Sequence, residues 1–127
     1  MLTGQVKNLL PSTKEEVEMA KQLPGQYVSI QRRFKKYLDA FDNLGKIARE
    51  SGSLDSKTSH LVQLAASAAI RSEGSVHSHT RRALEAGVKP EEIYHSLILL
   101  TNTIGFPTMS AALSWADDVI KKSRSKK

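Results

Sequence analysis

Between Ser72 and Pro107 glycine and proline interrupt the chain at set places, and the apolar residues between the interruptions recur every three or four positions. That period belongs to a helix, whereas a half-buried strand alternates every second residue. From Ser75 a helical wheel puts Val76, Thr80 and Ala83 on one face. Ser75 and His79, four apart, are neighbours on one flank of that face, and His77 points to the other. Gly87 falls where a left-handed cap ends a helix. Pro90 suits the first turn of the next, where its missing amide costs nothing, and Glu91 and Glu92 favour the positive end of the dipole. This next helix, expected to reach Ile104, is apolar almost all round: Ile93, Leu97, Leu100 and Ile104 make one face, with Ile98 and Leu99 on the flanks. Such a helix is either central or buried between subunits. A domain this small has little room for a fully central helix, so a subunit interface is expected.

The same period extends through the rest of the chain. Met1 to Pro11 reads as a lead-in. Ser12-Thr13-Lys14-Glu15 fits a capping box and predicts a short helix to about Leu23, before Pro24-Gly25. A long helix is expected from about Gln26 to Arg49, with Tyr27, Ile30, Phe34, Leu38, Phe41, Leu44 and Ala48 as one apolar stripe and Gly45 a weak point within it. After the turn at Ser51-Gly52-Ser53, Asp55 or Ser56 caps a helix whose narrow face is Leu61, Leu64, Ala65, Ala68 and Ala69. His60 lies at the edge of that face. Glu73-Gly74 is expected to break this helix and start the next. Gly105-Phe106-Pro107 precedes a last amphipathic helix carrying Met109, Ala112, Leu113, Ala116 and Ile120. The reading is all-α, with about six helices in a single domain over residues 1–127, and no strand candidate, hairpin turn or internal repeat.

Composition narrows the function classes. The chain has no cysteine, so it has no disulfide, thiolate metal site or thiol redox chemistry. No apolar run reaches the roughly 18 residues of a membrane span, and Met1 to Leu10 lacks the pattern of a signal peptide. The expected location is cytoplasmic, with no membrane partner. The net charge is +6, but Lys121, Lys122, Arg124, Lys126 and Lys127 crowd the tail at 121–127, and without them the body is nearly neutral. A short basic tail is usually a solvated helix end. Arg32-Arg33-Phe34-Lys35-Lys36 has the spacing of a wet helix face and lacks the aromatic ladder of a nucleic-acid platform. Nucleic acid is therefore not an expected partner.

Several motifs resemble those of the carboxymuconolactone decarboxylase family, which includes the alkyl hydroperoxidase D-like (AhpD-like) proteins. They are Leu54-Asp55-x-Lys57-Thr58, the small residues Ala65 to Ala69, Arg71-x-Glu73-Gly74, and His79-x-x-x-Ala83-Leu84-Glu85-Ala86-Gly87. Glu91-Glu92-Ile93 and Gly105-Phe106-Pro107 complete the match, which covers about residues 54–119. The resemblance implies an all-α fold that assembles into homotrimers or homohexamers. In the hydroperoxidase branch resembled here, one thiolate of a Cys-x-x-Cys pair attacks a peroxide or disulfide, and a downstream histidine and an upstream glutamate move the proton. Aligned on His79, the two cysteine positions fall on Ser72 and Ser75, and the glutamate position falls on His60. Only the histidine is kept. A serine forms neither the sulfenate nor the disulfide of such a cycle, so a thiol peroxidase is the least favoured reading. The family's decarboxylase branch works without cysteines by acid–base chemistry. It keeps a histidine at the His79 position and usually has a carboxylate where this chain has Ser75, so neither branch's full set of residues is present here.

His79 is the leading candidate for a general acid or base, since an imidazole titrates near neutrality; the alternative is a structural histidine at a helix interface. His60 and Ser75 are its candidate catalytic partners. A Ser75–His79 nucleophile–base pair would lack an evident orienting third residue. Ser72, His77, Phe106 and Trp115 are candidate binding residues, with Phe106, Met109 and Trp115 as an apolar wall or as core. His77 and His79 are about 160° apart around one helix rather than one turn apart, so no metal is assigned to them, and no cofactor is expected. His95 lies opposite the main apolar face of its helix and reads as surface or interface. Two functions remain open: an oligomeric acid–base enzyme of lyase or decarboxylase type acting on a small organic acid or lactone, or a non-catalytic ligand-binding or assembly protein.

Overall fold

The computed structural model describes residues 25–125. The expected helix from Ser12 to Leu23 and its capping box lie outside the described residues. Among the described residues there are helices and turns and no strand. They fall into two compact units, Met1–Gly52 and Ser53–Lys127. No described helix is long and apolar enough to cross a membrane.

In the first unit the long helix expected from Gln26 to Arg49 is two helices, α1 (Gly25–Arg33) and α2 (Lys35–Glu50). The break is at Phe34, which has left the helical region with φ −133° and ψ 58°. Neither glycine nor proline marks it. Like charges at Arg32, Lys35 and Lys36, three and four apart, disfavour a continuous helix here, and the Arg33 guanidinium lies 5.5 Å from the centre of the Phe34 ring. Tyr27 donates a 2.8 Å hydrogen bond to Asp42 Oδ2. In a straight helix those residues would be about 22 Å apart, so the chain folds back at Phe34. The predicted stripe is correspondingly split: Leu38 is buried, while Phe34, Phe41 and Leu44 are exposed.

The second unit holds α3 (Ser56–Ala69), α4 (Glu73–Glu85), α5 (Pro90–Ile98), the single turn α6 (Thr101–Ile104) and α7 (Phe106–Ser125). Asp55, rather than Ser56, caps α3, accepting from the Thr58 amide at 2.7 Å. Its core is Leu64 and Ala68 from α3, Val76 and Ala83 from α4, Val88, Ile93 and Leu97 from the next segment, and Ala112, Ala116 and Ile120 from α7. Val76, Thr80 and Ala83, the face drawn from the wheel, are all fully buried. The helix packed against all the others is α7. The Pro90 helix is shorter than expected and ends at Ile98. Ile93 and Leu97 enter the core, whereas Ile98 and Leu99 are exposed.

Two turns set the path of α4. At its C-terminus Gly87 has φ +94°; the Val88 amide bonds Ala83 O and the Gly87 amide bonds Leu84 O. That is a Schellman motif, with Val88 and Ala83 as its buried apolar pair. Before α4 the same two bonds recur: Ser72 N to Ser67 O and Arg71 N to Ala68 O, both 3.1 Å. Here the left-handed residue is Arg71, with φ +57°. The break between α3 and α4 is thus at residues 70–72, not at Glu73-Gly74, which lie inside α4.

Candidate functional site

The Arg71 turn brings the ends of α3 and α4 together and delivers Ser72 and Ser75. Ser72 is the N-cap of α4; its Oγ accepts from the Ser75 amide at 3.2 Å. Ser75, half-buried, places its own Oγ 2.6 Å from Ser67 Oγ on α3. Ser67, 3% exposed, also donates to the Gln63 carbonyl at 2.8 Å. Sequence reasoning missed Ser67. A signal existed, because Ser67 is seven residues after His60 and so lies about 20° from it around the helix.

The Ser67–Ser75 contact sets the register of the two helices, which pack side by side after reversing at Arg71. Counting back from Ser67 and forward from Ser75, His79 is level with Gln63 and His60 is level with Arg82. The two histidines are therefore offset by about 4.5 Å along the seam at 1.5 Å per residue. His60 is buried at 7% exposure, and His79 is half-buried. Gln63 Oε1, on the helix facing His79, is buried and makes no hydrogen bond.

The remaining candidates lie elsewhere. His77 faces α7, with Nε2 3.2 Å from Asp118 Oδ2. Nearby, Tyr94 donates to Asp117 Oδ1 at 2.6 Å, and this bond, with some burial, holds its phenol above the usual range. Both acids are on α7, distant in sequence, and neither pairing was predicted. Trp115 packs against the core, while Phe106 is 62% exposed. Nine positions separate these two on α7, about 13.5 Å along the axis and half a turn around it, so they do not share one wall within the chain. Met109 is buried and His95 exposed. Among the described residues no three His, Asp or Glu side chains are grouped as metal ligands would be.

The chemistry available on the α3–α4 seam is proton transfer and hydrogen bonding: two imidazoles, two linked serine hydroxyls and a capped helix start. Neither the curated proteins nor the solved structures compared with this chain include a significant match. The family model for the carboxymuconolactone decarboxylase family matches residues 35–118. That span starts earlier than the motifs near Leu54 suggested and takes in α2 through most of α7. With about two thirds of its length matched, the chain belongs to the carboxymuconolactone decarboxylase family.

Proposed function

We propose that this protein is a cofactor-free acid–base enzyme of lyase or decarboxylase type, acting on a small organic acid or lactone. The observation that carries the reading is the seam itself, where His79 and His60 stand on facing helices, about one turn and about two turns from the Ser67–Ser75 contact. When a carboxylate leaves as carbon dioxide, the electron pair of the broken bond stays on carbon, and an acid must protonate that carbon or an atom conjugated to it. His79 is the residue assigned to give that proton, with His60 and Ser75 as polar partners. A thiol route has no support, since the chain contains no cysteine. The non-catalytic ligand-binding reading draws on one feature: Ser75 occupies a position where a carboxylate is usual in the decarboxylase branch.

The protein is proposed to act as a homotrimer or homohexamer in the cytoplasm. Ile98, Leu99 and Phe106 expose large apolar surfaces in the second unit, and Tyr37, Phe41, Leu44 and Ile47 do so in the first. Exposed apolar surface of this kind is what association covers. The test is carbon dioxide release from a panel of lactone carboxylic acids, run on protein whose mass is checked by light scattering. Activity in a trimer or hexamer that falls about 100-fold or more in His79→Ala is expected, from the usual contribution of a general acid. Activity indifferent to His79, or a panel with no turnover at all, would overturn the enzymatic reading.

A further inference from the structure

The structure assigns Ser67 as a positioning residue that turns the Ser75 hydroxyl into a fixed hydrogen-bond acceptor. Its partner on the seam is then a group that brings the proton: the O–H of an alcohol, enol or undissociated acid, or an N–H. This deepens the acid–base reading and rests on it for the claim that Ser75 faces a ligand.

The assignment comes from counting protons. A serine hydroxyl has one proton to donate and two lone pairs to accept with. Ser67 Oγ lies 2.8 Å from the Gln63 backbone carbonyl, and a carbonyl oxygen only accepts. The Ser67 proton is therefore committed to Gln63. At the 2.6 Å Ser67–Ser75 contact the proton must come from Ser75. The chain of donors runs Ser75 to Ser67 to the Gln63 carbonyl, and it anchors on backbone of α3 that does not rotate. Ser67, 3% exposed, has almost no access to water as a competing partner. Away from Ser67, the Ser75 oxygen has lone pairs only.

Two consequences follow for the site. Ser75 does not hand a proton to His79, so it is not a nucleophile activated by that imidazole. A bare carboxylate, which has no proton to give, is a poor partner for Ser75, whereas a hydroxyl or amide is a good one. Where the family's decarboxylase branch usually carries an ionised acceptor, this chain would keep an acceptor without its charge.

The absence of native cysteine allows a direct test. In Ser75→Cys the single S–H stretching band lies in an otherwise empty window of the infrared spectrum. A band shifted to lower frequency by donation to Ser67 is expected. It should return towards the free value in Ser75→Cys/Ser67→Ala and stay low in Ser75→Cys/Ser67→Thr. A band unmoved by Ser67→Ala would overturn the assignment. In the wild-type protein, phenylmethanesulfonyl fluoride is expected to leave the intact mass unchanged, and an adduct on Ser75 would overturn it too. Should the cysteine variants fail to fold, a slowly exchanging Ser75 hydroxyl proton in wild-type NMR spectra, lost in Ser67→Ala, supports the same direction; its persistence in Ser67→Ala contradicts it. These readouts report the hydroxyl's direction whether or not the protein turns over any substrate, so their failure is distinct from failure of the proposed activity.

Discussion

The turns at either end of α4 are made from the same hydrogen bonds and differ first in the residue that takes the left-handed conformation. Both close with a six-to-one and a five-to-two bond. The later one uses Gly87 at φ +94°, and the earlier one uses Arg71 at φ +57°. Glycine enters that region without steric cost, whereas a side chain there costs roughly 1–2 kcal/mol. Their following residues differ as well. Val88 after Gly87 is buried in the core, whereas Ser72 after Arg71 turns directly into the cap of α4. One turn is stabilised by local conformational preference and core burial. The other is held in place by what it connects, the start of α4 and the serine contact of the candidate site. Strained backbone beside functional sites is a recurring arrangement, and around α4 the left-handed non-glycine residue lies in the turn that delivers Ser72 and Ser75 to the candidate site.

Exchanging the two turn residues tests that contrast most strongly. Gly87→Ala is expected to destabilise the fold by about 1–2 kcal/mol, from the left-handed strain alone. The new Cβ would also meet Lys57 Cε at 3.4 Å, a flexible side-chain end that can yield. Arg71→Gly should act in the opposite direction and less strongly. It relieves the strain but adds unfolded-chain entropy worth about 0.5–1 kcal/mol, for a net gain of about 0.5 kcal/mol. Chemical denaturation of both variants measures this, and a loss of stability in Arg71→Gly would contradict the strain at Arg71.

Next in size is the cap. Ser72→Ala removes the acceptor of the Ser75 amide and is expected to cost about 1 kcal/mol. If α4 were anchored only by its core face, thermal unfolding would show no change.

The smallest effect separates the cap of α4 from that of α3. Ser72 does not titrate in the acid range, whereas Asp55 does. The Thr58 backbone amide, and then the Thr58 side chain, hold the Asp55 carboxyl below its usual 3.8. A lowered folded-state pKa gives stability that is present above the unfolded value and lost as pH falls through the folded one. Wild-type stability should therefore drop more steeply below pH 3.8 than that of Asp55→Asn, which keeps a cap that does not titrate. Parallel pH curves from urea denaturation would remove Asp55 from the account.

Part of the site was legible because it depends on local rules. The flank shared by Ser75 and His79 follows from their four-residue spacing, and the family motifs identify His79 whatever it touches. Ser67 was legible only as a residue on the His60 side of its helix, seven positions on; an alanine-rich face gives no reason to single out that serine as a partner of Ser75 until the facing helix is known. The Tyr94–Asp117 and His77–Asp118 pairs join residues 23 and 41 positions apart, beyond the reach of any periodicity.

The sequence by itself determined the helical class, the left-handed turn at Gly87, the start of a helix at Pro90 and the buried face of Val76, Thr80 and Ala83. Each follows from sterics or from burial at helical spacing, which act within a few residues. Tertiary structure decided that the chain folds back at Phe34, that Arg71 rather than Gly74 makes the first turn of the site, and that Ser75 meets Ser67. Those outcomes depend on partners brought in from other helices. A tertiary contact can hold a non-glycine residue in a left-handed turn or direct a hydroxyl proton, and neither leaves a mark on the residues nearby in sequence.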